Sequence, residues 1–147
     1  MTRILIVEAR FYNDLADELV RGAVAHLDAA GVEHERISVP GAFEIPAAIA
    51  FAHRGAAKGG VAHDGYVALG CVIRGETSHY DYVCGESARG LQDLAVREGL
   101  AIGYGILTVE NGEQAWARAS IAKKNKGRDA AEACLAMIAI KHRFGLS

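Results

Sequence analysis

Short apolar segments alternate with longer segments of helical periodicity along the whole chain, and this alternation constrains the fold most strongly. The run Ile4-Leu5-Ile6-Val7 within Arg3–Ala9 is too short for a helix and is bounded by charge, which favours a strand buried on both faces. Three similar strands are predicted at Glu33–Val39, residues 66–73 and residues 100–108. Parallel strands need crossover helices, so the pattern predicts a parallel sheet.

The intervening segments begin or end at residues typical of helix termini. These are a cap at Asn13 or Asp14 with an end at Gly31, Pro46 in a first turn, an end near Gly99, a capping box at Asn111, and a last helix from about Gly127 to Phe144. Residues 54–65 are rich in glycine and alanine and predict a loop. We therefore expect one α/β domain over residues 1–147, a three-layer αβα sandwich with a four-stranded parallel sheet flanked by helices.

Charge and cysteine content exclude several classes of protein. Lys and Arg number 16 against 18 Asp and Glu, which leaves no excess positive charge for binding nucleic acid. No segment resembles a signal peptide or a membrane span. Three widely spaced cysteines do not suggest a metal site or a disulfide framework. We expect a cytoplasmic protein with reduced thiols, no metal and no membrane partner.

Ligands of open parallel sheets gather beyond the carboxyl ends of the strands. Here those segments are residues 10–13, 40–44, 74–79 and 108–111. The first has neither a glycine fingerprint for dinucleotides nor a Walker lysine. It has Phe11 instead, which could stack on a flat heterocycle or equally well cover the core.

Glu44 lies between Pro40 and Pro46 in an apolar setting. The two prolines could hold the carboxylate in place to accept hydrogen bonds from a polyol. An acid that interacts with the dipole at a helix start is the slightly favoured alternative.

The most informative segment is Gly70-Cys71-Val72-Ile73-Arg74-Gly75-Glu76-Thr77-Ser78-His79-Tyr80-Asp81-Tyr82, where a strand leads into a helix. Free amides with Thr77 and Ser78 could bind a phosphate at the helix start. His79 in the first turn is a candidate general acid/base, because the helix dipole favours the neutral ring. An ordinary partly buried histidine beside a helix cap is the alternative.

A basic segment between the last two helices contains Arg118 and Lys126. Most such runs are solvated, although a guanidinium can hold a phosphate with two hydrogen bonds. These helices follow the last strand and lie far along the chain from the earlier strand ends. A neighbouring subunit could therefore supply this wall. Tyr104, on the fourth strand, is more often a core residue than a ligand in such a position.

Together these segments resemble the lumazine synthase family. The resemblance rests on Ala9-Arg10-Phe11, Val39-Pro40-Gly41-Ala42-Phe43-Glu44-Ile45-Pro46, the Gly70 to Tyr82 segment, Gly105-Ile106-Leu107-Thr108 with Glu113-Gln114-Ala115, and Lys126-Gly127. It covers nearly the whole chain in order, and Arg-Gly-Glu-Thr before His-Tyr-Asp-Tyr is highly specific. Tyr12, Ser78 and Tyr104 differ from the residues most common in the family.

The resemblance implies a flavodoxin-like fold in homopentamers with active sites shared between subunits, and leaves larger assemblies open. It implies that Phe11 stacks on the pyrimidine and His79 moves protons. It also implies substrate-binding roles for Ala42, Phe43, Glu44, Cys71, Val72, Ile73, Glu76 and Thr77, with Tyr104, Arg118 and Lys126 contributed by or near the neighbour.

The implied reaction is the penultimate step of riboflavin biosynthesis. It joins 5-amino-6-(D-ribitylamino)uracil and 3,4-dihydroxy-2-butanone 4-phosphate into 6,7-dimethyl-8-ribityllumazine, with phosphate and water released and no cofactor required. Two alternatives are a low-activity paralogue that binds flavin or lumazine or acts as a scaffold, and a generic phosphate-binding module. The second gives no reason for Phe11, Glu44 and His79 to occur together.

Overall fold

A computed structural model describes all 147 residues and contains four strands and five helices. In chain order they are β1 (Arg3–Ala9), α1 (Asn13–Ala29), β2 (Glu33–Val39), α2 (Ile45–Ala56), β3 (Gly65–Ile73), α3 (His79–Glu98), β4 (Ile102–Val109), α4 (Gly112–Ala119) and α5 (Lys126–Arg143). A three-residue 3-10 helix, Ala42–Glu44, precedes α2. The predicted alternation of strands and helices is confirmed.

Two predicted boundaries are wrong by a few residues. The α2 helix continues to Ala56, into the segment expected to be a loop, because alanine propagates a helix until Gly59 and Gly60 end it. β4 begins at Ile102 rather than at residue 100, after Gly99 ends α3 in the left-handed conformation with φ 67°.

All four strands are parallel and lie in the order β2-β1-β3-β4. Helices α1, α4 and α5 cover one face of the sheet, and α2 and α3 cover the other. After β1 the chain continues to β2, at one edge of the sheet, and after β3 it continues to β4, at the opposite edge. In such sheets the crevice between these two strands, at their carboxyl ends, is the usual ligand site.

The central strands are buried on both faces, as their apolar runs predicted. Ile4 and Ile6 of β1 pack toward α1 and α5, whereas Leu5 and Val7 pack toward α2 and α3. Each such side chain contributes about 1.5–3 kcal/mol to folding when it is fully buried. Two continuous cores therefore hold β1 and β3 rigidly and fix where their carboxyl ends lie. None of the helices combines the length and apolar content needed to cross a membrane.

Candidate active site

A cavity of about 560 Å³ lies at the carboxyl ends of β1, β2 and β3. Nine of the residues predicted from the sequence line it: Phe11, Ala42, Phe43, Glu44, Cys71, Val72, Ile73, Thr77 and His79. Segments that are more than 60 positions apart in the sequence thus meet in one cavity. The same cavity is also lined by Tyr12, Pro40, Gly41, Gly75, Tyr80 and Val83, which the sequence analysis did not single out as site residues. Four of them lie in the strand-end segments 10–13, 40–44 and 74–79, where ligands were expected, whereas Tyr80 and Val83 lie in the first turns of α3.

Phe11 projects from the β1–α1 loop and is 74% exposed. The ring of Tyr12 meets it edge to face, with the ring centroids 4.9 Å apart and the planes at 73°. Tyr12 itself packs against the core beneath α1. This arrangement supports the Phe11 ring from the protein side and leaves much of it open to the cavity, where it can stack on a planar ligand. The alternative, in which Phe11 covers the core, does not agree with this exposure.

The backbone of β3 is unpaired along one edge where it borders the cavity. Pairing between β1 and β3 ends at Leu69, whereas β3 continues to Ile73 with only β4 beside it. Amide and carbonyl groups on the open edge can therefore bind the donors and acceptors of a ligand. Cys71 in this segment is not a nucleophile, because burial raises the pKa of its thiol to about 11.

Glu44 closes the short 3-10 turn that precedes α2. Its Oε1 atom accepts a hydrogen bond from the amide of Gly41 at 3.0 Å. This is the helix-start role that the sequence analysis considered as the alternative. The other oxygen, Oε2, has no hydrogen bond within the chain, so the carboxylate is held in place and still has an acceptor for a ligand hydroxyl.

The turn between β3 and α3 presents unpaired amides beside His79. The backbone N–H groups of residues 75–78 have no acceptor within the chain, and the amide of His79 donates to Thr77 Oγ1 at 3.3 Å. His79 is the first residue of α3, and its side chain is exposed toward the cavity. Amides at a helix start, with the dipole behind them, are suited to bind an anion.

Arg74 ties this turn to the end of β4. Its Nε atom lies 3.0 Å from both carboxylate oxygens of Glu110, and its guanidinium lies 4.3 Å from the ring centroid of Tyr80. The backbone amide of Arg74 also donates to the carbonyl of Val109 at 3.0 Å. The turn is therefore fixed before a ligand arrives, which lowers the entropic cost of binding.

Four predicted site residues do not line the cavity. Tyr104 lies on the edge strand β4 beside a separate apolar groove of about 400 Å³ formed with α3. Arg118 donates to the carbonyl of Gln114 within α4, and the ammonium of Lys126 lies 3.4 Å from the Asp129 carboxylate. The fourth, Glu76, is exposed at the turn, and its backbone amide has no acceptor within the chain.

No group of three or more His, Cys, Asp or Glu side chains converges in the chain. The polar side chains that line the cavity carry one imidazole, one carboxylate, three hydroxyls and one thiol, and unpaired amides lie beside them. This set can stack, hydrogen-bond and transfer protons.

Comparison with known proteins agrees with this geometry. The sequence profile described as 6,7-dimethyl-8-ribityllumazine synthase matches residues 1–142. A protein of that name from Bartonella bacilliformis is 62% identical over 142 residues, which are 97% of this chain and 91% of the relative. For 6,7-dimethyl-8-ribityllumazine synthase 1 of Rhizobium meliloti the values are 62%, 97% and 93%, and for the Agrobacterium fabrum protein 59%, 97% and 96%. The chain therefore belongs to the 6,7-dimethyl-8-ribityllumazine synthase family.

Proposed function

We propose that this chain carries out the lumazine synthase reaction in the cavity at the carboxyl ends of β1 and β3. There it condenses 5-amino-6-(D-ribitylamino)uracil with 3,4-dihydroxy-2-butanone 4-phosphate. The observation that carries the assignment is the convergence of an open aromatic ring, a carboxylate, free helix-start amides and an imidazole around one cavity. These are the groups needed to hold a flat ring, a polyol and a phosphate together.

The pyrimidine stacks on Phe11 and bonds through its edge to the open backbone of residues 71–73. The ribityl chain runs past Ala42 and Phe43, and its hydroxyls donate to the free oxygen of Glu44. The support for this placement is that the ring, the unpaired strand edge and the carboxylate all border the same volume. Stacking and polyol recognition together would fix the reacting amine relative to the second substrate.

The phosphate of the ketone substrate binds the amides of residues 75–78 and the Thr77 hydroxyl, with Glu76 contributing through its backbone. His79 then lies next to the reacting carbons. The amine adds to the ketone and water leaves to form an imine. Phosphate is then eliminated, and the second amine adds to the carbonyl that this elimination generates, from which a second water leaves as the ring closes. Each of these steps moves a proton, and His79 is the only imidazole that lines the cavity.

We further infer a homopentamer in which a neighbouring subunit completes each site. Within one chain, Arg118 and Lys126 do not line the cavity and contact residues of their own helices instead, and Tyr104 is 45% exposed. Phe51 on α2 and Val96 on α3 are also about 70% exposed, and association could cover these apolar side chains. We also infer a cytoplasmic location, which agrees with three cysteines that form no disulfide within the chain.

The direct test mixes purified protein with both substrates and follows lumazine fluorescence and phosphate release above the uncatalysed background. Replacing His79 with Ala should slow turnover by about 10²–10⁴-fold without preventing assembly. The matched control is His142→Ala, an exposed histidine in the last turn of α5. Equal kinetics for wild type and His79→Ala would remove the proton-transfer role. Tight binding of the lumazine without turnover would instead favour the non-catalytic paralogue.

Subunit sharing has its own test. Arg118→Ala should chiefly raise the KM for the ketone phosphate. When Arg118→Ala and His79→Ala subunits are unfolded together and reassembled, about one site in four should combine an intact His79 with an intact Arg118 from the neighbour. Recovery of activity in the mixture supports shared sites. No recovery, although mixed oligomers form, would show that both residues act from one chain.

A further inference from the structure

One guanidinium connects the two ends of the loop that carries Phe11. Arg10 Nη1 donates to Glu8 Oε1 at 2.6 Å, at the end of β1. Arg10 Nε donates to Asn13 Oδ1 at 2.9 Å, and Nη2 donates to the carbonyl of Asn13 at 3.4 Å and to the carboxylate of Asp17. A single side chain thus joins the end of β1 to the first turns of α1, and Phe11 and Tyr12 lie in the loop between these two points.

The fixed point of this arrangement is Glu8, whose side chain is only 4% exposed. Besides Arg10, it accepts hydrogen bonds from Arg36 of β2, at 2.7 Å from Nε and 2.9 Å from Nη2. Burial by itself would raise the pKa of Glu8, but the bonds from Arg36 and Arg10 outweigh it and lower the pKa. Glu8 is therefore a buried carboxylate at neutral pH, held from two directions.

Phe11 needs support of this kind because the core does not hold it. Its ring is 74% exposed and meets only the edge of Tyr12 among the aromatic side chains. The direction of the ring is therefore set mainly by the backbone of residues 10–13. That backbone is tied to its surroundings by the amide of Arg10, which donates to Val39, and by the carbonyl of Tyr12, which accepts from Ala16. The other constraint is the set of three hydrogen bonds that the Arg10 guanidinium donates to Asn13 and Asp17 at the start of α1.

We propose that Arg10 is a positioning residue that closes the β1–α1 loop and so holds Phe11 in the orientation that stacks on the pyrimidine. Arg10 does not line the cavity, so it acts through Phe11 and not on the substrate. The inference rests on the stacking role of Phe11 proposed above. Arg36 shares the same carboxylate but makes no hydrogen bond to residues 10–13. The structure therefore contains a matched pair of arginines of which one alone holds the loop.

The test measures the dissociation constant of 6,7-dimethyl-8-ribityllumazine by fluorescence titration of the full-length protein. Arg10→Met removes the clamp, whereas the control Arg36→Met removes the other cation from Glu8 and leaves the loop contacts in place. Both variants should lower Tm. If the stacking-competent loop falls to about a tenth of the population, Arg10→Met weakens lumazine binding about tenfold, while Arg36→Met stays within about twofold of wild type. Arg10→Lys serves if Arg10→Met does not fold, because lysine keeps the charge next to Glu8 but cannot donate to Asn13 and Asp17 together.

A double-mutant cycle separates positioning from general destabilisation. In a Phe11→Ala background, Arg10→Met should weaken lumazine binding no further, because the ring through which it acts is gone. Multiplicative effects of the two substitutions would overturn the proposal, as would equal losses for Arg10→Met and Arg36→Met. Wild-type affinity in Arg10→Met or Arg10→Lys would overturn it as well. Failure of Phe11→Ala alone to weaken binding would instead refute the stacking role in the proposed function.

Discussion

The start of α5 lies so close to α1 that Gly127 has no room for a side chain. A Cβ atom built there would lie 2.0 Å from the carbonyl oxygen of Leu19 and 2.8 Å from its carbonyl carbon. To restore even a 3.0 Å approach, the helices must separate by at least 3.0 − 2.0 = 1.0 Å. Both contacting groups are backbone atoms of packed helices, so neither can rotate out of the way.

Gly127→Ala should therefore destabilise the protein although alanine is the better helix former. Overpacking of a rigid contact costs about 3 kcal/mol, the upper part of the usual range. Replacing a glycine in a helix interior recovers about 1 kcal/mol, which is the upper limit for Gly127 in the first turn of α5. The difference of about 2 kcal/mol corresponds to a fall in Tm of roughly 6–8 °C for a chain of this size.

The control is Gly85→Ala, in the exposed middle of α3, where an added Cβ meets nothing within 4 Å. It should gain about 0.5–1 kcal/mol and raise Tm by about 2–3 °C. Both variants and the wild type are compared by calorimetry at one protein concentration and one scan rate. A Tm for Gly127→Ala at or above that of the wild type would refute the argument from close helix approach.

Three further outcomes are expected. Phe11→Ala should weaken lumazine binding about tenfold in a fluorescence titration, the loss of roughly 1.4 kcal/mol of stacking, whereas Phe144→Ala, equally exposed at 74% but distant from the cavity, should not; equal affinities would contradict the stacking role. Cys71, whose pKa burial raises to about 11, should resist iodoacetamide at pH 8, where only about 10⁻³ of it is thiolate; labelling as fast as a free thiol, followed by mass spectrometry, would show that it is not buried. Burial alone would raise the pKa of Glu8, but Arg36 and Arg10 lower it, so its stabilisation is fully present above the unfolded pKa and is lost as pH falls through the folded value. Glu8→Gln should thus cost about 3 kcal/mol in urea unfolding at pH 7, and the difference from wild type should shrink below pH 4.5; a constant difference would exclude the ionised form.

Much of the fold follows from local patterns. The apolar run of β1 predicted burial on both faces, and the two cores confirm it. Asn111 was expected to cap a helix, and its side chain accepts from the amide of Gln114 at 2.9 Å. Hydrophobic periodicity and capping depend on residues within one or two turns of each other. The sequence is therefore sufficient to show them.

Most of the residues around the cavity were also identified from the sequence, because parallel strands place their carboxyl ends together. The segments that follow β1, β2 and β3 supplied the aromatic ring, the carboxylate and the imidazole. Tyr12 and Tyr80 were missed as site residues because nothing in their spacing distinguishes a cavity wall from a core contact.

Sequence alone thus determined the class of fold, the segments that meet at the site and the family to which the chain belongs. Tertiary structure alone decided three further points. First, β3 extends beyond β1 and leaves a strand edge open. Second, Arg36 reaches Glu8 from a neighbouring strand. Third, α5 approaches α1 closely enough to require glycine at position 127. Each is a contact between residues at least 28 positions apart, or the lack of one, and its geometry depends on how whole elements pack. No local pattern encodes such a distance, because it is set by the combined packing of two helical layers on one twisted sheet.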